Sequence, residues 1–89
     1  MNQLQMRIRQ ILVGQTTVNP DRIICRRDGT VEIRRVYYHR SATPSEWAEK
    51  VRQVLASNGV QCRVAGSEIW AAWPRDSYLV AVAMPEVNG

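Results

Sequence analysis

Residues 43–59 have the sequence TPSEWAEKVRQVLASNG, which carries the signals that begin and end an α-helix. Thr43 can accept a hydrogen bond from the first helical turn, and Glu46 follows at the spacing of a capping box. Pro44 falls at the first helical position, where its missing N–H costs nothing. Gly59 stands where a residue with positive φ closes a helix. The apolar side chains that share one face of this helix are Trp47, Val51, Val54 and Leu55.

The chain before this helix predicts a shorter helix and a β-hairpin. Residues 2–13 place apolar side chains at helical spacing, and Gly14 is the expected end of that N-terminal helix. Residues 22–27 and 30–38 are the two predicted strands of the hairpin. They meet at Asp28-Gly29, a pair typical of a two-residue type I′ turn.

A two-residue turn decides which hairpin residues lie opposite each other. It would pair Ile24 with Ile33 and Cys25 with Glu32. The face favoured, narrowly, for burial would carry Ile24, Val31, Ile33 and Tyr37. The opposite face would carry Ile23, Cys25, Val36 and Tyr38.

The chain after the helix predicts three more strands, which are residues 60–65, 68–73 and 78–84. Gly66-Ser67 would turn the chain between the first two, and Pro85 would end the last. The last strand is apolar on both faces, which is typical of a central strand covered on both sides. The main helix can cover one side, and the other needs the N-terminal helix or a partner subunit, which allows a homodimer.

The predicted fold is therefore a single α+β domain over residues 1–89. It has a mainly antiparallel sheet of about five strands, packed by one long helix and a short N-terminal helix, in the order α-ββ-α-βββ.

Charge is concentrated in the first half of the chain. The formal net charge is +4, and eleven of the twelve basic residues are arginine. Arginine binds phosphates, carboxylates and guanine edges in a planar, bidentate manner. The alternative explanation for the excess of arginine over lysine is a GC-rich coding sequence, because GC-rich codons favour arginine.

The remaining composition favours a cytoplasmic protein without cofactor or metal. No apolar run approaches the length of about 20 residues that a membrane-spanning helix needs, and the first residues lack a signal-peptide core. The two cysteines are expected to be partly buried thiols. His39 is the only histidine, and no catalytic motif surrounds it, so an enzyme is not expected.

Two clusters of residues could bind a partner. The first combines arginine with tyrosine, the composition of a nucleic-acid-binding sheet. Its members are Arg34, Arg35, Tyr37, Tyr38, His39 and Arg40, with Arg22, Arg26 and Arg27 on the paired strand. The alternative is a structural hairpin in which Tyr37 is buried and the arginine heads are solvated.

The second cluster surrounds two tryptophans. Trp70 and Trp73 would point to opposite faces of a strand, so that one anchors the core. The other, beside Arg75, would form a hot spot for a protein partner, unless the N-terminal helix covers it.

The segments RVYYHR (35–40), PSEWA (44–48), WAAW (70–73) and Ser77-Tyr78 resemble small uncharacterised phage and prophage proteins over about residues 34–82. The resemblance implies a phage setting and the host cytoplasm, with no fixed activity. Phage proteins of this size often bind and block host factors, including defence nucleases.

The leading functional hypothesis is therefore a small non-enzymatic inhibitor. It would occupy a protein surface of a host defence or nucleic-acid-handling complex, in the manner of an anti-CRISPR protein. The alternative is a DNA- or RNA-binding domain that uses the arginine-rich hairpin.

Overall fold

In the computed structural model, the described residues are 1–36, 42–71 and 76–85, and residues 70, 71, 76 and 77 are described by their backbone alone. The elements are α1 (Gln3–Gln15), a 3-10 turn (Pro20–Arg22), β1 (Ile23–Cys25), β2 (Val31–Val36), α2 (Pro44–Ser57), β3 (Cys62–Ala71) and β4 (Asp76–Pro85). The strands form one antiparallel sheet in the order β1-β2-β4-β3. None of the helices described has the length and apolar character needed to cross a membrane.

The α+β class and the antiparallel sheet are confirmed, but two details of the prediction are wrong. The described residues form four strands, not about five. The helices have 13 and 14 residues, so neither is markedly the longer.

Helix α2 begins and ends as its sequence predicts. The Thr43 hydroxyl oxygen accepts a hydrogen bond from the Glu46 N–H over 3.1 Å. Gly59 has a φ of 80°, and the next amide N–H donates to the Leu55 carbonyl over 2.9 Å. Of the predicted apolar face, Trp47, Val51 and Leu55 are buried, and Val54 is half-buried.

The predicted turn at Gly66-Ser67 is wrong, because β3 runs unbroken through both residues beside β4. A Cβ atom at Gly66 would overlap the carbonyl oxygen of Pro44 and lie 3.2 Å from the Cβ of Ala48. Gly66 therefore serves the close approach of α2 to the sheet, which is the other common reason for a glycine inside a strand.

The predicted hairpin register is also wrong by one residue. Ile23, not Ile24, pairs with Ile33. The Gly29 N–H donates to the Arg26 carbonyl over 3.1 Å, and Gly29 has a φ of 92°. These features define a three-residue loop with glycine in the left-handed position. Since strand side chains alternate, the shift buries Ile23 and moves Ile24 away from the helices.

Both helices pack on the same face of the sheet. Ile8 and Leu12 of α1 join Trp47, Val51 and Leu55 of α2 in one core. The sheet contributes Ile23, Val31, Ile33, Cys62, Leu79, Ala81 and Ala83 to that core, and the loop after α2 contributes Val60. Strand β4 is central, as predicted, but α1 does not cover its second face. We call this second sheet surface, which no described helix covers, the outer face.

Gln5 joins α1 to the hairpin. Its side chain is 2% exposed, and its amide nitrogen donates to the carbonyls of Arg26 and Thr30 over 2.6 and 3.0 Å. Its amide oxygen accepts from the backbone of Asn2, whose own side chain caps the helix. The helix then passes through Gly14, its predicted end, and closes at Gln15.

Candidate anion-binding site

A cavity of about 190 Å³ opens at one corner of the sheet, because β1 is only three residues long. Strand β1 pairs with β2 no further than Ile33, whereas β2 continues to Val36. The residues just before β1 form the 3-10 turn instead of extending the strand, and this turn packs beside β2. We call this cavity the corner pocket. Its lining residues are Thr16, Thr17, Val18, Asn19, Arg22, Arg34, Arg35, Trp47 and Lys50.

Positively charged residues from three elements line the corner pocket. Arg22 comes from the 3-10 turn, Arg34 and Arg35 from β2, and Lys50 from α2. Among the described residues, no carboxylate lines the pocket, and only Arg34 of these four has an ion-pair partner. Cations gathered around a concave site raise the local concentration of anions. The pocket is therefore suited to a small anionic group.

Arg35 is held in place by Trp47. The guanidinium carbon of Arg35 lies 5.4 Å from the centre of a Trp47 ring, within the range of a cation–π contact. Trp47 is itself 2% exposed, and its indole N–H donates to the Ile33 carbonyl over 3.3 Å. A fixed indole beneath a planar guanidinium limits the orientations of Arg35 before any ligand arrives.

Arg34 is oriented by Glu32. The Nε of Arg34 lies 2.7 Å from one carboxylate oxygen of Glu32, and Arg26 binds the other oxygen over 3.0 Å. Burial acts to raise the pKa of Glu32, but the two arginine hydrogen bonds outweigh burial and hold the pKa below its ordinary value of 4.5. Glu32 is therefore ionised at neutral pH and neutralises part of the charge of Arg34.

Arg22 lies over the ring of Tyr78, a residue of β4 that does not line the pocket. Its guanidinium carbon is 5.6 Å from the centre of the Tyr78 ring on the neighbouring part of the sheet. Arg22 and Arg35 thus each make a cation–π contact, and Arg34 makes an ion pair. Lys50 is exposed and is the most accessible of the four.

The loop that forms the polar wall is ordered by its own hydrogen bonds. The Thr16 hydroxyl donates to the Leu12 carbonyl and accepts from the Val18 N–H. The Asn19 side-chain oxygen accepts from the Asp21 N–H over 2.9 Å, at the start of the 3-10 turn. Thr17 is exposed beside this ordered backbone, so its hydroxyl is placed to donate to an anion.

The predicted arginines of the hairpin divide between the corner pocket and the hairpin loop, although Arg26 and Arg34 share the carboxylate of Glu32. Arg34 and Arg35 line the corner pocket, whereas Arg26 and Arg27 lie near the hairpin loop beside the chain's first residues. Arg26 is also occupied by its ion pair with Glu32.

The remaining predicted site residues cannot be placed in the same way. Those that lie outside the described residues are Tyr37, Tyr38, His39, Arg40, Trp73 and Arg75. Trp70 is described by its backbone, which pairs with Ser77 in the sheet.

The sequence-based prediction missed Lys50 and the loop threonines. Lys50 follows Trp47 by three residues in a helix, a spacing that places two side chains on neighbouring positions of one face. With Trp47 predicted to face the core, that spacing could have indicated that Lys50 lies at the edge of the buried face, close to the sheet. Residues 16–19 carried no such signal in the sequence, because they line the same pocket as β2 only through the tertiary fold.

Comparison of the chain with protein-family models, curated proteins and solved structures gives no match. The resemblance to small phage proteins therefore stays a prediction. Within the part of the chain that the structure describes, no three His, Cys, Asp or Glu side chains come together as a metal site.

Proposed function

We propose that the protein is a small non-enzymatic binding protein that recognises the phosphate groups of nucleic acid through the corner pocket. The observation that carries this proposal is the convergence of Arg22, Arg35 and Lys50 on one cavity without a carboxylate partner among the described residues. It develops the sequence-based alternative of DNA or RNA binding through the arginine-rich hairpin, but limits the site to the end of that hairpin at the sheet corner.

Binding of this kind depends on salt, because cations that contact phosphates release counterions from the nucleic acid. With three or four contacts, log K should fall against log salt with a slope of about −3. A fourfold rise in salt would then weaken binding roughly 50-fold.

The test is a salt-titrated anisotropy assay with labelled single- and double-stranded DNA and RNA. We expect Lys50→Ala to weaken binding roughly three- to tenfold and to reduce the salt slope by about 1, because one phosphate contact is lost. Arg52→Ala is the matched control, since Arg52 lies on the same helix, pairs with Glu49 and does not line the pocket.

Two results would contradict the proposal. One is the absence of binding at about 50 mM salt, where phosphate contacts are strong. The other is an equal loss of affinity in Arg52→Ala and Lys50→Ala, which would point to net charge instead of the pocket.

A second candidate function, inhibition of a host defence or nucleic-acid-handling complex, is favoured by the outer face. Ile69 is 36% exposed there and pairs with Tyr78, and the half-buried Val82 and Met84 lie further along β4 on the same face. Exposed apolar patches often mark protein interaction sites. Expression in a defended host, followed by phage challenge, tests this function. Ile69→Asp should abolish protection of the phage while Lys50→Ala retains it, and the reverse pattern would exclude the outer face.

A further inference from the structure

We infer that the corner pocket selects a terminal phosphate monoester, as found at a phosphorylated end of a nucleic-acid strand, over the diester groups inside the strand. This inference rests on the proposed nucleic-acid binding and names the part of the strand that the pocket takes.

The size of the pocket is the first argument. Its volume of about 190 Å³ is below the roughly 300–1,000 Å³ of typical ligand sites. A phosphate group and part of its sugar can enter such a space, whereas a longer segment of strand cannot. The end of a strand can therefore enter the pocket more easily than the middle can.

The arrangement of the cations is the second argument. Arg22, Arg35 and Lys50 come from three different elements and line one cavity. A protein that follows a nucleic-acid backbone instead tracks it with a positively charged groove. Cations gathered at one small cavity are suited to a single, highly charged anion.

The charge and geometry of the ligand are the third argument. A phosphate monoester carries about −1.5 to −2 charges near pH 7 and has three terminal oxygens. A diester carries one charge and has two such oxygens. The third oxygen gives Lys50 or the Thr17 hydroxyl a partner in addition to those of the arginine forks. The gain should therefore depend on Lys50 and on the planar fork of Arg35.

The experiment compares one single-stranded DNA oligonucleotide in three forms, with a 5′-phosphate, with a 3′-phosphate, or with hydroxyls at both ends. We expect at least one phosphorylated end to raise the affinity about tenfold over the hydroxyl form. Lys50→Ala and Arg35→Lys should each remove most of that gain, since the first deletes a charge and the second deletes the fork. Arg52→Ala should retain it, and circular dichroism would confirm that each variant is folded.

Methyl phosphate and dimethyl phosphate, used as competitors, separate the ester type from the rest of the strand. Methyl phosphate should displace the phosphorylated oligonucleotide at lower concentration than dimethyl phosphate does. Equal binding of all three oligonucleotides would overturn the inference and leave the proposed function standing. Binding of methyl phosphate without binding of any oligonucleotide would instead support monoester selectivity and overturn the proposed function.

Discussion

Replacement of Gly66 by alanine tests how α2 rests on the sheet. The added Cβ would overlap the Pro44 carbonyl oxygen and lie 2.6 Å from the Pro44 carbonyl carbon. These are backbone atoms, so they cannot rotate away, and α2 or β3 must shift. Overpacking of this kind costs about 1–3 kcal/mol, and the obstruction by backbone favours the upper value. Alanine recovers about 0.5–1 kcal/mol of chain entropy, which leaves a net destabilisation of about 2 kcal/mol.

Thermal unfolding followed by far-UV circular dichroism measures this effect. A loss of about 2 kcal/mol should lower the Tm by roughly 8–16 °C in a domain of this size. Gly14→Ala is the matched control, because nothing lies within 4 Å of a Cβ atom there and Gly14 is inside α1. It should stabilise the protein by about 0.5–1 kcal/mol. A Gly66→Ala variant that melts at or above the parent's Tm would refute the close approach of α2.

Two further predictions concern the hairpin. Gln5→Ala should destabilise the protein by about 2–3 kcal/mol in urea denaturation, because two hairpin carbonyls lose their buried donor. The exposed Gln10→Ala on the same helix should change the stability by less than about 0.5 kcal/mol, and equal effects would contradict the role of Gln5. The lowered pKa of Glu32 means that its stabilisation is present above pH 4.5 and is lost as the pH falls through its folded pKa. The stability difference between the parent and Glu32→Gln should therefore shrink on acidification below pH 4.5, and a constant difference would contradict the prediction.

Much of the helical structure could be predicted because helix signals are local. Thr43 and Gly59 lie next to the backbone groups that they satisfy, so neither needs the rest of the fold. The role of Gln5 is different, since its spacing from Asn2 indicates a cap but its two hairpin bonds depend on tertiary packing.

The two errors in the strands both arose at glycines. Asp28-Gly29 fits a two-residue turn and equally the last positions of a three-residue turn, and sequence alone does not separate the two. Gly66 was predicted to lie in a turn because glycine permits turns. In the structure it lies inside β3, where the absence of a Cβ atom makes room for the Pro44 carbonyl of α2. The turn at Gly29 therefore led to the wrong hairpin register, and Gly66 led to the division of β3 into two predicted strands.

The candidate site was only half predictable for a related reason. The charge of Arg34 and Arg35 was visible in the sequence, and so was their place on a strand. Their convergence with Lys50 depends on the packing of α2 against the sheet, which their sequence does not reveal. Charge composition therefore predicts an anionic partner, and the fold shows which of the cations share one cavity.

The shortness of β1 also bears on how such a site can change over time. The corner pocket occupies space that a longer β1 would fill, so its size is decided by where the chain leaves the sheet. An insertion or deletion within residues 16–19 could widen or close the pocket, while the core residues of β2 and α2 keep their contacts. The volume of the pocket can thus change with the loop at residues 16–19, whereas its cations Arg35 and Lys50 lie on β2 and α2, which also carry core residues.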